Sequence, residues 1–191
     1  MKDGSRALGI AESYRDETST LAGCVVRADR IVDGFVFGTC TVGGTDATDA
    51  VVGLLERLDR PDVQVIMIAG IAPAWYNVVD IVAVADRTGL PTLSVSFEES
   101  DGLESAINEA FDGADARERL ECYRAQPERI PISVGEQTLF VRSAGFVEDG
   151  DTCVEERVCQ TVRTFTQNGR PEPLRVARLA ARAADDWVDG R

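Results

Sequence analysis

Along the first hundred residues the hydrophobic positions alternate between a period of two and a helical period. "ALGIAES" (7–13) predicts a short strand with a polar exit, and "STLAGCVVRADRIVDGFVFGTCTV" (19–42) predicts two strands joined around Ala28-Asp29-Arg30. The period then changes. Gly43-Gly44 breaks the strand, Thr45 or Asp46 can cap a helix, and Val51, Leu54, Leu55 and Leu58 form its apolar face ahead of Pro61. "VQVIMIA" (63–69) predicts a buried strand that breaks into a loop carrying Pro73, Trp75 and Tyr76. A helix is predicted over 77–89, with Val78, Ile81, Val82 and Ala85 on one face and Gly89 as its stop. "LPTLSVSF" (90–97) predicts the next strand. The order is three strands, helix, strand, helix, strand: an antiparallel meander leading into two right-handed crossovers.

The second half predicts one or two amphipathic helices over 101–125 and a hairpin of "RIPISV" and "TLFVRSAGF" joined by Gly135-Glu136. Two helices follow, over about 152–167 and 172–188, separated by Asn168-Gly169 and Pro171. No repeat or linker divides the 191 residues, so one domain is expected, with these C-terminal helices packed on it.

Charge changes the picture. There are 33 acidic residues against 20 basic ones, a net charge of −13, and Lys2 is the only lysine. A surface rich in Asp and poor in Lys predicts a cytoplasm of very high salt, although an ordinary acidic protein has the same balance. High salt weakens phosphate contacts, so nucleic-acid binding could not rest on a broad basic surface. No apolar run is long enough to span a bilayer and "MKDGSRALGI" has no signal-peptide core, so a soluble, cytoplasmic protein is expected.

Histidine is absent, which excludes Ser-His-Asp and Cys-His catalysis and every His-ligated metal site. Cys24, Cys40, Cys122, Cys153 and Cys159 include no C-x-x-C pair and are expected to be buried small hydrophobes. Any metal would be a hard cation held by carboxylates.

Candidate site residues each have a structural alternative. Asp46 is either a metal ligand or a first-turn acid at a helix N-terminus. Gly43-Gly44 is either an anion-binding turn or a plain one. Trp75 and Tyr76 form either a stacking platform for a base or a cover for the core edge. Asn77 is the expected N-cap of the helix over 77–89, with Asp80 in its first turn unless turned toward the sheet end. Arg175, Arg178 and Arg182 line one helix face, where they contact either phosphates or carboxylates of their own domain.

Four stretches together, "RALGIAES", "DGFVFGTCTVGGTDATDAV", "VIMIAGIAPAWYNVVDI" and "GRPEPLRVARLAA", resemble an archaeal family of the endonuclease V-like, ribonuclease H-fold group. The resemblance implies a mixed α/β sheet, an antiparallel three-strand meander followed by parallel strands, with flanking helices. It also implies a Mg²⁺ centre built from a first-strand Asp, an acidic residue after the third strand and the Asp of an Asp-Gly ending the fourth strand. Those positions hold Ala11, Asp46 and Ala69 here. Glu12 could substitute only if the backbone turned at that point, because neighbouring strand residues face opposite ways. The expectation is an endonuclease V-like, haloarchaeal protein with a degenerate metal centre that binds single-stranded or modified nucleic acid or has a regulatory role. The alternatives are a weak Mg²⁺-dependent endonuclease on inosine-type nucleic acid using Asp46 and Glu12, and a protein-interaction module.

Overall fold

A computed structural model describes residues 4–190. Its elements run β1 (Arg6–Arg15), β2 (Thr18–Arg27), β3 (Val32–Thr41), α1 (Ala47–Leu58), β4 (Val65–Ala69), the one-turn segment α2 (Pro73–Tyr76), α3 (Ile81–Thr88) and β5 (Thr92–Ser96). They continue with α4 (Glu104–Ala110), α5 (Gly113–Arg124), β6 (Ile130–Val134), β7 (Gln137–Ala144), α6 (Val154–Phe165), β8 (Thr166–Gln167), β9 (Arg170–Pro171) and α7 (Glu172–Asp189).

Seven strands form one mixed sheet in the order β3-β2-β1-β4-β5-β7-β6. The meander β1-β2-β3 is antiparallel, and β4 and β5 run parallel to β1 and to each other. This is the predicted topology. The β6–β7 hairpin extends the same sheet by pairing β7 antiparallel to β5.

Alternation along the central strands builds two layers. Leu8, Ile10, Ile66 and Ile68 face a core closed by Val51 and Leu54 of α1 and by Ile81 and Val84 of α3. Ala7, Val65 and Met67 face the other core, with Val158, Val162 and Phe165 of α6 and Leu174 of α7. With both faces covered, β4 reads as an unbroken apolar run. After Pro173, the buried positions of α7 among the described residues are Leu174, Ala177, Ala181 and Asp185, three or four residues apart. At Gly9 a Cβ would stand 2.3 Å from the carbonyl carbon of Pro173, so the start of α7 rests directly on β1.

Two capping expectations are corrected. Asn77 does not cap the helix that follows it. That helix begins at Ile81, and the Asp80 carboxylate caps it by accepting from the Val82 and Ala83 amides at 3.0 and 3.1 Å. Buried Asn77 serves α1 instead: its carbonyl oxygen accepts from the Ala47 amide at 2.9 Å. Asp46, at the N-cap position of α1, makes no side-chain cap of its own. Its carboxylate turns back to β3, where it accepts from the Thr41 amide at 3.1 Å and the Thr41 hydroxyl at 2.9 Å. The cysteines are all free; Cys24 and Cys40 are buried, Cys122 and Cys159 half-buried, but Cys153 is exposed, against expectation.

Candidate nucleic-acid interface

Parallel pairing sets Ile10 of β1 opposite Ile68 of β4. One step further along both strands come Ala11 and Ala69, neighbours at one sheet end and on one face. Ala11 is 4% exposed and packs with Cys24, Val26 and Ala177 of α7, with Ala69 and Val176 at the margin. These two positions therefore carry methyl groups in an apolar contact, with no side-chain oxygen to offer a cation.

Glu12 lies on the opposite face and accepts from the Ser19 hydroxyl at 2.9 Å. The Asp46 oxygens are engaged by Thr41 and by the Asn77 amide at 2.6 Å. Burial raises the Asp46 pKa, but the hydrogen bonds from Asn77 and Thr41 outweigh it, so the carboxyl lies below its usual range. Both carboxylates approach Cys40, whose thiol is pushed up to about 11 by burial first and then by Asp46 and Glu12. Among the described residues, no group of three or more His, Cys, Asp or Glu side chains could hold a metal ion. The donor set does not fit the Mg²⁺ centre that the resemblance implies.

Beside Ala69 and Gly70 opens a cleft of about 800 Å³, at the carboxyl ends of β4 and β5. Arg175, Arg178 and Arg182 of α7 line one wall, and Arg129, Arg142 and Arg170 also face it. Arg175 forms a two-pronged pair with Glu172 at 2.6 and 2.7 Å, which lowers the Glu172 pKa and raises that of Arg175. Arg178 and Arg182 are exposed, with no ion pair or hydrogen bond among the described residues. The other three guanidiniums lie over aromatic rings of the cleft: Arg129 over Phe140, Arg142 over Tyr123 and Arg170 over Phe97, at 4.8, 5.0 and 4.8 Å.

Trp75 and Tyr76 lie outside this lining. Trp75 is 50% exposed and meets Tyr76 edge-on; Tyr76 in turn meets Phe111. Ala74, Trp75 and Tyr76 all take left-handed φ values of 47, 57 and 57°. Such angles cost non-glycine residues about 1–2 kcal/mol each, so the tertiary structure holds this aromatic turn in place. Asn77 and Asp80 are spent on caps, and fully buried Asn77 cannot reach a ligand.

Sequence reasoning located the arginines of α7 but missed Arg129, Arg142, Arg170 and their aromatic partners. These come from separate elements, and only the β5–β7 pairing and the β8–β9 turn bring them to one place. The one signal that pointed to them was Phe140 and Arg142 in "TLFVRSAGF", two apart and so on one face of their strand.

The sheet order and its covering helices define an endonuclease V-like member of the ribonuclease H-fold class. Endonuclease V of Ciona intestinalis, solved with a 24-mer DNA containing an inosine followed by a ribo-adenosine, has a TM-score of 0.61 to this chain at 12% identity, covering 96% of this chain and 87% of that one. The chain belongs to the archaeal UPF0215 family, described as endonuclease dU, whose family model matches residues 3–185. A UPF0215 protein of Pyrobaculum calidifontis is 35% identical over 188 residues, 96% of this chain and 99% of that protein. A protein of unknown function from Archaeoglobus fulgidus has a TM-score of 0.80 at 25% identity, covering 94% and 98% of the two chains. Among the described residues no helix is long and apolar enough to cross a membrane.

Proposed function

We propose that this chain is a single endonuclease V-like domain that binds single-stranded or modified nucleic acid at the strand-end cleft without metal-dependent cleavage. The observation that carries this reading is the neighbourhood of Ala69. Two of the three positions where carboxylates are expected, Ala11 and Ala69, hold packed methyl groups, yet the adjoining cleft keeps Arg178 and Arg182, unpaired among the described residues. In a chain of net charge −13, arginines left unpaired in one cleft suit an anionic ligand better than a solvated face. The Ciona neighbour was solved with inosine-containing DNA, and the family description names an endonuclease. The binding half of that role fits these residues, and the cleaving half does not. Exposed Trp75 supplies a second contact, a ring on which an unpaired base can stack. The acidic, Lys-poor composition fits a high-salt, haloarchaeal cytoplasm, where such binding depends on focused rather than diffuse charge.

The test is binding of a labelled single strand, followed by fluorescence anisotropy across a range of KCl in the presence of EDTA. The wild-type chain should bind, and Arg178→Ala or Arg182→Ala should each lower the salt slope by about one. No affinity for any strand, or a slope unchanged by both substitutions, would overturn the reading.

A further inference from the structure

We propose that the cleft also binds a free nucleoside di- or triphosphate, with the phosphates on Arg178 and Arg182 and the base against the wall of Phe97, Tyr123 and Phe140.

Charge segregation is the first observation. Six of the chain's 20 basic residues line this one cleft, and Glu98 is the only carboxylate in the lining. Glu172 neutralises Arg175 from beside it, which still leaves a large positive excess. Elsewhere several arginines are paired with acids, as where Arg6 and Arg60 share Asp33 and Asp62 and Arg87 meets Asp49. The exposed Arg30, Arg57, Arg117 and Arg163, which make no ion pair among the described residues, do not share one cleft. A single strand brings one charge per nucleotide. A di- or triphosphate concentrates several charges in one small ligand and matches this density better.

Shape is the second. A cavity of about 800 Å³ lies in the ordinary range for small-ligand sites. It sits at the carboxyl ends of adjacent parallel strands, where open α/β sheets bind nucleotides. Arg178 and Arg182 are one helical turn apart on the same face, so both guanidiniums can close on one ligand.

The walls give the third. Each of the three rings already carries a guanidinium within about 5 Å of its centre, and a base can pack against these ring and cation pairs. Arg129 and Arg142 are also fixed by carbonyl oxygens, Arg129 by that of Ser100 at 2.6 Å and Arg142 by that of Pro127. The platform is therefore formed before a ligand arrives, which reduces the ordering cost of binding.

Calorimetric titration of the full chain at low salt in EDTA tests this, with adenosine triphosphate, adenosine monophosphate and inorganic tripolyphosphate as probes. Adenosine triphosphate should bind tightest. Arg178→Ala and Arg182→Ala should each weaken it about tenfold, corresponding to about 1.4 kcal/mol. Phe97→Leu keeps the apolar packing but removes the ring, and should weaken adenosine triphosphate while leaving tripolyphosphate unchanged. Equal affinity for adenosine triphosphate and tripolyphosphate, indifference to both arginine substitutions, or no binding at all would each overturn the proposal. Strand binding without nucleotide binding defeats this inference alone. Nucleotide binding without strand binding defeats the nucleic-acid reading alone.

Discussion

The backbone of Pro173 lies so close to Gly9 that a Cβ added there would meet its carbonyl carbon at 2.3 Å and its carbonyl oxygen at 2.4 Å. This contact seats α7 on β1 two residues before Ala11, bringing Ala177 to the apolar cluster and Arg178 to the cleft. Backbone atoms cannot step aside as a flexible side chain can. Gly9→Ala should therefore cost about 1–3 kcal/mol as an overpacked core position. Gly4→Ala, with nothing within 4 Å of the added methyl, should be near neutral. Denaturant unfolding of both variants checks the contrast, and the Gly9 variant should also lose affinity at the cleft.

Asn77 is fully buried and joins three segments, through the Ala47 amide, the Thr41 carbonyl and the Asp46 carboxylate. Asn77→Ala leaves the buried Ala47 amide without its acceptor and removes one hydrogen bond each from the Thr41 carbonyl and the Asp46 carboxylate, so it should cost about 1–3 kcal/mol in denaturant unfolding. Magnesium should not restore the loss, because Asp46 works here as an acceptor for Thr41 and Asn77.

The fold was legible in the sequence to the extent that it is written in hydrophobic periods. The change of period after Thr41 marked α1, and the unbroken apolar run of β4 marked a strand covered on both faces. What the sequence hid was long-range pairing. Asn77 reads as a cap for the helix just ahead, but it caps one that starts 30 residues earlier. The site was only half legible for the same reason. Arg175, Arg178 and Arg182 share one helix face and can be found by spacing, whereas Arg129, Arg142 and Arg170 meet them only through sheet order.

At the far end of β1, Arg6 and Arg60 share Asp33 and Asp62. The Arg60 hydrogen bond is the main cause that brings Asp62 down to about 2, and Arg6 chiefly lowers Asp33. Folded values below the unfolded one mean that this stabilisation is complete above about pH 4 and is lost as pH falls toward about 2. Asp46 acts in the same direction. Melting temperature should drop across that acid window, less steeply in Asp62→Asn and less in concentrated KCl, which screens exposed pairs.

Trp75 is held half-exposed on a left-handed turn, with Tyr76 and Phe111 behind it. If a base stacks there, Trp75→Ala should weaken single-strand binding by about 1–3 kcal/mol with little change in salt slope. Binding unchanged by the substitution would remove Trp75 from the interface and leave the arginine cleft alone.

The most direct test of the central claim is to incubate the protein with a labelled inosine-containing strand in molar KCl, with Mg²⁺, with Mn²⁺ or with EDTA. Binding and strand length are followed in the same samples. The packed methyl groups of Ala11 and Ala69 predict equal binding and a full-length strand in all three. Metal-dependent cleavage that disappears in Asp46→Asn would contradict the account.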